Sequence, residues 1–356
     1  MSKILLGASG GTAATMGSFM KYFVEIDKDS ETFLVPESWR TMAGLTDRRI
    51  MLASPELVSN WDRIGGSPIV PSCKDTNVFK IAQEDGTTID MSGIVKQYCE
   101  EYDGVIPVGG GGTTMQSALL HAKQGINFIV PLATMDNDIQ CFDDILGYRT
   151  AVAHAAASIA ACSNDARTMN RPTMVFEMGY ECGRLSVAAV DYARNAYSAK
   201  IDMLHIPETN VAIEDVASKI KRSYKGGDFT IVISEGACKT SDGTNDGIHK
   251  HFGTADYANK IMELTGIKFK VLTPDYMQRS GMPVEMDRKL AYKFAKEAHQ
   301  LIKAKNWNQV IGSINGKVTS IPIEEVVEVL NNQKPSMDWY STKRVSLDGV
   351  NDILIR

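Results

Sequence analysis

Short apolar runs ending in Gly, Pro or a small polar residue recur along the chain, each followed by a stretch with helical spacing. The clearest are KILLGAS (3–9), FLVPES (33–38), GVIPVGG (104–110), FIVPLAT (128–134), TMVFEMG (173–179), FTIVISEGA (229–237) and FKVLTPD (269–275). Between them lie SALLHAKQ, YRTAVAHAAASIAAC, SVAAVDYARNAYSAK and VEMDRKLAYKFAKEAHQLIKAK. Continuous apolar runs suit strands covered on both faces, and alternation with helices brings such strands into a parallel sheet. An α/β fold with largely parallel sheets and helices on both faces is therefore expected. Ligands bind such folds at loops leaving the carboxyl ends of the strands. The length of 356 residues fits two domains better than one.

Net charge is −5 and the pI about 5.8, so nothing draws the whole molecule to nucleic acid or to an anionic membrane. An anionic ligand must be held by local Arg, Lys and backbone N–H groups. Cys73, Cys99, Cys141, Cys162, Cys182 and Cys238 are scattered without a C-x-x-C pair, which favours thiols in a reducing compartment. The opening MSKILLGASGG reads as a strand and loop rather than a signal peptide, and no run of about 18 apolar residues occurs. A cytoplasmic protein is expected.

Two glycine-rich exits stand out. GASGGTAATMG (7–17) leads from the first strand to the first helix, where backbone N–H groups can meet a phosphate. G-x-G-x-x-G and G-x-x-x-x-G-K-[ST] are both absent, which argues against a dinucleotide fingerprint and a Walker-type NTPase. VGGGGTT (108–114) places four glycines in a row; so bare a backbone is entropically wasteful in an ordinary turn and favours close approach to a ligand.

PLATMDNDIQCFDD (131–144) gathers Asp136, Asn137 and Asp138 after an apolar strand. Two carboxylates around an amide suit proton abstraction with metal contact. They equally suit a helix N-cap with an acidic first turn. Arg171, Lys270 and Arg279 are the basic candidates. The stretch 238–253 reads as a lid or as a surface turn, and its His249 and His251 lack a convincing third metal ligand.

In order, these segments resemble the 6-phosphofructokinase family, of which the chain looks like a divergent member. GASGGTAATM is similar to the family's GGDAPGMN, VGGGGTT to GGDGS/T, and LATMDNDI to PGTIDNDI or PKTIDNDI. RPTMVFEMGYECG resembles RVFVVEVMGRHCG, ISEGA resembles AEGA, and DYMQRSGMPVEMDRKLA resembles GHIQRGGSPTAFDRVLA. The resemblance implies two three-layer α/β/α domains. Residues 1–140 and 278–326 would form a larger, donor-binding domain; 141–277 and 327–356 would form a smaller one for the sugar phosphate.

The same resemblance implies roles. Asp136 would be the base that takes the proton from the 1-hydroxyl of fructose 6-phosphate or a related sugar phosphate. Thr134 and Asp138 would position substrate, Mg²⁺ and the transferring phosphoryl group, with Asp138 on the metal. Met178, Gly179 and Glu235 would contact the sugar; Arg171, Lys270, Tyr276 and Arg279 would hold its 6-phosphate. Gly10, Gly11, Gly109, Gly110, Gly111, Gly112 and Thr113 would cradle the donor. Because part of the 6-phosphate site comes from a neighbouring subunit in this family, a homodimer or homotetramer is implied.

Three positions depart from the pattern. Thr12 replaces the Asp of the first loop, Gly111 the metal-associated Asp of GGDGT, and Tyr180 the Arg of MGR. Phosphoryl transfer rests on positioning and charge neutralisation, so these losses weaken the donor side. In the resembled family Gly and a small residue at the places of Gly112 and Ala133 accompany ATP, which favours ATP over pyrophosphate. Tyr276 points the other way, since pyrophosphate-using members often carry Tyr there.

Overall fold

The computed structural model describes residues 1–71, 78–83, 85–179, 182–238, 253–273, 276–332, 336–340 and 346–356. Tyr180, Cys73 and most of the stretch 238–253, His249 and His251 included, lie outside the described residues. The chain divides into two compact units, each built from two stretches. Unit 1 is Met1–Thr150 with Arg279–Lys334, and unit 2 is Ala151–Gln278 with Pro335–Arg356.

In unit 1 the chain forms β1 (Ser2–Gly10), β2 (Ser30–Val35), β3 (Met51–Leu52) and a small hairpin of β4 (Ile81–Ala82) and β5 (Thr88–Ile89). It continues through β6 (Gly104–Gly110), β7 (Ile129–Pro131), β8 (Ala133–Thr134) and β9 (Leu146–Gly147). Unit 2 supplies β10 (Pro172–Glu177), β11 (Met203–His205), β12 (Phe229–Ser234) and β13 (Lys270–Leu272). The chain then returns to unit 1 for β14 (Gln309–Ile314) and β15 (Lys317–Pro322). Every apolar run of the sequence contributes a strand. FKVLTPD yields only the three residues of β13, paired with Thr173–Val175 of β10.

The sheets of unit 1 run β3-β2-β1-β6 and β15-β14-β7, and bridges Val105–Phe128 and Gly109–Leu132 join β6 to the segment around β7. β1 lies parallel to β2 on one side and to β6 on the other. The strand order thus reverses between β1 and β6, the place where open α/β sheets leave a crevice at their carboxyl ends. Register sets Gly10 directly beside Gly110 there.

Both faces of this sheet are covered, which explains its continuous apolar strands. Ile4 and Leu6 point into one core with Met16, Phe19, Met20 and Phe23 of the helix Met16–Ile26 and Phe294 of the helix Glu285–Lys303. Leu5 and Val35 point into the opposite core with Met115 and Ala118 of the helix Gly112–Lys123 and Val326 of the helix Ile323–Asn332. Unit 2 repeats the plan with the parallel order β11-β12-β10-β13. Phe176 and Ile231 meet Val216, Ile220 and Ile261 on one face, while Val175 and Val232 meet Ile159, Val187 and Val190 on the other.

Asp287, fully buried in unit 1, binds β9 to the start of the helix Tyr148–Thr168. Its carboxylate accepts from Gly147 N at 3.1 Å, Thr150 N at 3.2 Å and Thr150 Oγ1 at 2.7 Å. Burial outweighs these donors and pushes its pKa up to about 6. Cys99, Cys162 and Cys238 are thiols rather than disulfide halves. Among the described residues, no helix is long and apolar enough to cross a membrane.

Candidate active site

The four glycines of VGGGGTT have different reasons to be glycine. A methyl group on Gly109 would come 1.8 Å from Ser9 O, and one on Gly110 would come 2.9 Å from both Ala133 O and Thr134 Cγ2. These two are required by strand packing alone. Gly111 has φ +98°, which L side chains rarely adopt, and serves as N-cap of the helix Gly112–Lys123. Around Gly111 and Gly112 a methyl group would meet nothing within 4 Å. Only the last two glycines therefore border open space, beside Gly10 and the exposed Gly11 of the β1 exit. The helix start adds backbone N–H groups without partners along the helix, a setting that favours anions.

The neighbouring segment carries the carboxylates. From Thr134 to Gln140 burial alternates: Met135, Asn137 and Ile139 are buried, while Thr134, Asp136 and Asp138 are half-buried. Thr134 Oγ1 donates to Asp136 Oδ2 at 3.4 Å and accepts from Asp136 N at 3.3 Å. Asn137 takes the left-handed conformation, φ +52°, and its Nδ2 donates to Asp143 O at 2.7 Å. Asp143 is in turn fixed to β14, with Asp143 N donating to Ser313 O at 2.8 Å. The N-cap alternative fails, because the next helix begins only at Tyr148. Asn137 shapes the turn and leaves the flanking carboxylates half-exposed.

In unit 2, Met178 and Gly179 follow β10 and Glu235 follows β12, and register pairs Glu177 with Ser234. These three residues therefore share the carboxyl end of the sheet. Gly179 has φ +136°, and its carbonyl accepts from Ser234 Oγ at 3.0 Å and Gly236 N at 3.2 Å. Arg171 and Lys270 stand at the other end. Arg171 immediately precedes β10, and Lys270 opens β13 opposite Thr173. Seven residues of extended chain, roughly 23 Å, separate Arg171 from Met178. Arg171 pairs with Asp165 at 2.7 Å, Lys270 is exposed, and Tyr276 is 74% exposed.

The sequence profile of the phosphofructokinase family matches residues 3–302, most of the chain. The chain belongs to the phosphofructokinase family. An ATP-dependent 6-phosphofructokinase of Halothermothrix orenii is 27% identical over 330 residues, covering 92% of this chain and 94% of that protein. One from Spirochaeta thermophila is 29% identical over 265 residues, covering 71% of each. Among solved structures, a pyrophosphate-dependent phosphofructokinase of Nitrosospira multiformis shares the fold with a TM-score of 0.77, 18% identity and coverage of 94% and 86%. Pichia pastoris phosphofructokinase in the T-state gives 0.73 at 21% identity; 93% of this chain spans 38% of that longer one.

At Thr12 and Gly111, the two described positions that depart from the resembled motifs, neither side chain can carry charge. Among the described residues no group of three His, Cys, Asp or Glu is gathered as a metal cage. Asp138, two residues after Asp136, is half-buried. Mg²⁺ characteristically needs only one or two carboxylates, with water and phosphate oxygens completing its shell, so the residues present fit it.

Two residues absent from the expectations above hold the site in shape. Gln278 is buried, accepts from Met178 N at 3.1 Å and donates to the buried Glu177. Its position beside Arg279 in the motif DYMQRSG is the one signal the sequence offers for it. Asp144 is buried against Arg149, with its pKa raised by desolvation and lowered by that guanidinium. Arg279 belongs to unit 1, where its Nη1 lies 3.7 Å from the point a methyl group on Gly11 would occupy.

Proposed function

We propose that this phosphofructokinase family member transfers a phosphoryl group to the 1-hydroxyl of fructose 6-phosphate or a closely related sugar phosphate. ATP is the favoured donor over pyrophosphate, because Gly112 opens onto free space and Ala133 supplies no cation for a bare pyrophosphate. The observation that carries the reading is one juxtaposition in unit 1. The exit of β6 borders open space beside the exit of β1, and Gly110 packs directly on Thr134, two residues before Asp136.

Asp136 accepts the hydroxyl proton as the sugar oxygen attacks the terminal phosphorus. The bond from that phosphorus to the bridging oxygen breaks, and its electron pair leaves with ADP or inorganic phosphate. Thr134 orients the carboxylate through its hydroxyl. Gly10, Gly11 and the backbone from Gly109 to Thr113 hold the donor. Asp138 would hold Mg²⁺, which neutralises donor oxygens when bound.

Met178, Gly179 and Glu235 contact the sugar in this reading, and Arg171, Lys270, Tyr276 and Arg279 hold its 6-phosphate. The first three lie at the carboxyl end of the unit 2 sheet, whereas Arg171 and Lys270 lie at its amino end. No sugar phosphate is long enough to touch both ends of one sheet. Arg171 and Lys270 therefore serve the sugar site of a second copy, and the enzyme works as a homodimer or homotetramer.

The uncharged Thr12 and Gly111 favour one second reading, a sugar-phosphate-binding homologue with weak or no catalysis. Calorimetric titration separates the two. Binding of both fructose 6-phosphate and Mg²⁺-ATP supports the enzyme; fructose 6-phosphate binding with no response to ATP or pyrophosphate overturns it in favour of the sensor.

A further inference from the structure

Gly147, the last residue of β9, touches three groups of different kinds, all within unit 1. Register places it beside Thr134, whose hydroxyl donates to Asp136 at 3.4 Å. A methyl group on it would meet Ala13 Cβ at 2.8 Å, so it also packs on the β1 exit, two residues past Gly11. Its N–H faces Asp287, 3.1 Å from Oδ2 and 3.3 Å from Oδ1. A φ of +96° makes the position one that glycine adopts without strain. One residue thus joins the turn carrying the candidate base to the loop that would hold the donor. A single carboxyl holds that residue.

Asp287 stands in the first turn of the helix Glu285–Lys303. Thr150 N and Oγ1 donate to its Oδ2, and Thr150 Oγ1 accepts from Val284 N at 3.2 Å. The carboxyl is fully buried, and desolvation outweighs its donors; Asp144, itself paired with Arg149, is the other carboxyl that bears on it. An asparagine would keep one acceptor without burying a charge. It could not offer two acceptor oxygens to one N–H, because its Nδ2 would face Gly147 N, donor against donor. The carboxyl is therefore suited to fixing Gly147 itself, beyond what joining β9 to two helices needs.

We infer that Asp287 is a positioning residue for phosphoryl transfer: it fixes Gly147, and through Gly147 the separation of the Thr134–Asp136 turn from the β1 exit. It touches neither sugar nor donor. The inference rests on the phosphotransferase reading and adds to it a residue buried behind the reacting groups. A displacement of about 1 Å between reacting groups can lower a rate by about 100-fold, so such support bears on chemistry and not only on stability.

The test compares full-length wild type, Asp287→Asn, Asp287→Ala and Gly147→Ala with fructose 6-phosphate and Mg²⁺-ATP. Asp287→Asn should lower kcat by about 10-fold and Asp287→Ala by up to about 100-fold, with KM for fructose 6-phosphate within about threefold. The melting temperature of Asp287→Asn should be unchanged or raised, which separates positioning from loss of fold; unchanged kcat in that variant overturns the inference. Gly147→Ala should lower kcat as well. Combining it with Asp287→Asn should cost no more than about twofold beyond the worse single variant, because both act through one residue. Losses that multiply overturn the route through Gly147. Hydrogen exchange gives a readout independent of turnover: segments 11–16 and 133–137 should exchange at least about threefold faster in Asp287→Asn, with Phe229–Ser234 of unit 2 unchanged. No change in either segment, or equally faster exchange everywhere, overturns the inference and leaves Asp287 a structural tether. Wild type that transfers no phosphoryl group contradicts the phosphotransferase reading itself, and exchange alone then decides whether Asp287 holds the two segments.

Discussion

The two units use their sheets differently. In unit 1 the loop candidates sit at one end: Gly10, Gly110, Thr134 and Asp136 lie at or just past the carboxyl ends of their strands. In unit 2 the candidates divide, with Met178, Gly179 and Glu235 at the carboxyl end and Arg171 and Lys270 at the amino end. One end can complete a site within a chain, whereas two ends cannot. In the proposed reading, unit 1 supplies the donor and base contacts from one chain, and unit 2 needs a second copy to finish its phosphate site.

The sharpest way to break this contrast is at unit 1. Asp136→Asn should lower kcat by about 10²–10⁴-fold, the ordinary contribution of a general base, with fructose 6-phosphate affinity nearly intact. Steady-state rates with calorimetry check this, and unchanged turnover would remove Asp136 from the chemistry.

Mixing tests the divided arrangement of unit 2. Arg171→Ala should raise KM for the sugar phosphate by about 10- to 100-fold, the scale of a lost charge-assisted contact. Refolding it together with Asp136→Asn should restore roughly a quarter of wild-type activity, because one site of each mixed dimer is intact. Activity no higher than the sum of the separate variants would mean that each chain builds its site alone.

A third prediction concerns the support beneath unit 1. Folded Asp287 titrates near 6 against an ordinary 3.8, so the folded state holds an extra proton between those values. The stability associated with it is fully present below pH 3.8 and is lost as pH rises through about 6. Relative to wild type, Asp287→Asn should gain across that window by up to about 3 kcal/mol, read from urea unfolding at several pH values. A constant difference between the two proteins would show that the carboxyl does not titrate there.

The smallest effects separate the glycines. Gly110→Ala should cost about 1–3 kcal/mol, since its methyl group strikes Ala133 O and Thr134. Gly112→Ala opens a helix in free space and should change stability by under about 1 kcal/mol. It should nonetheless weaken donor binding, because its methyl group points where the donor would lie. Thermal melting and donor titration distinguish the pair, and equal melting shifts would contradict the packing account.

Much of the fold is legible in the amino-acid sequence. Apolar runs bounded by Gly and Pro mark parallel strands because burial on both faces leaves no polar alternation to confuse them. The motif around Asp136 is equally readable as a cluster, but not its meaning. Whether DND caps a helix depends on where the next helix starts, and that start is Tyr148, with Asn137 left-handed and bonded to Asp143 instead. Glycine is the least decisive letter: strand packing that no local pattern reveals requires Gly109 and Gly110 whether or not a ligand approaches their backbone. Gln278 is marked only by its place beside Arg279, since a buried amide serving a backbone N–H leaves no charge signature.

The measurement that bears most directly on the account is phosphorus NMR of the purified protein with fructose 6-phosphate and Mg²⁺, given ATP or pyrophosphate in separate samples. The account predicts a growing fructose 1,6-bisphosphate signal, faster with ATP. No new signal with either donor, while fructose 6-phosphate still raises the melting temperature, would contradict it and leave a sugar-phosphate-binding protein.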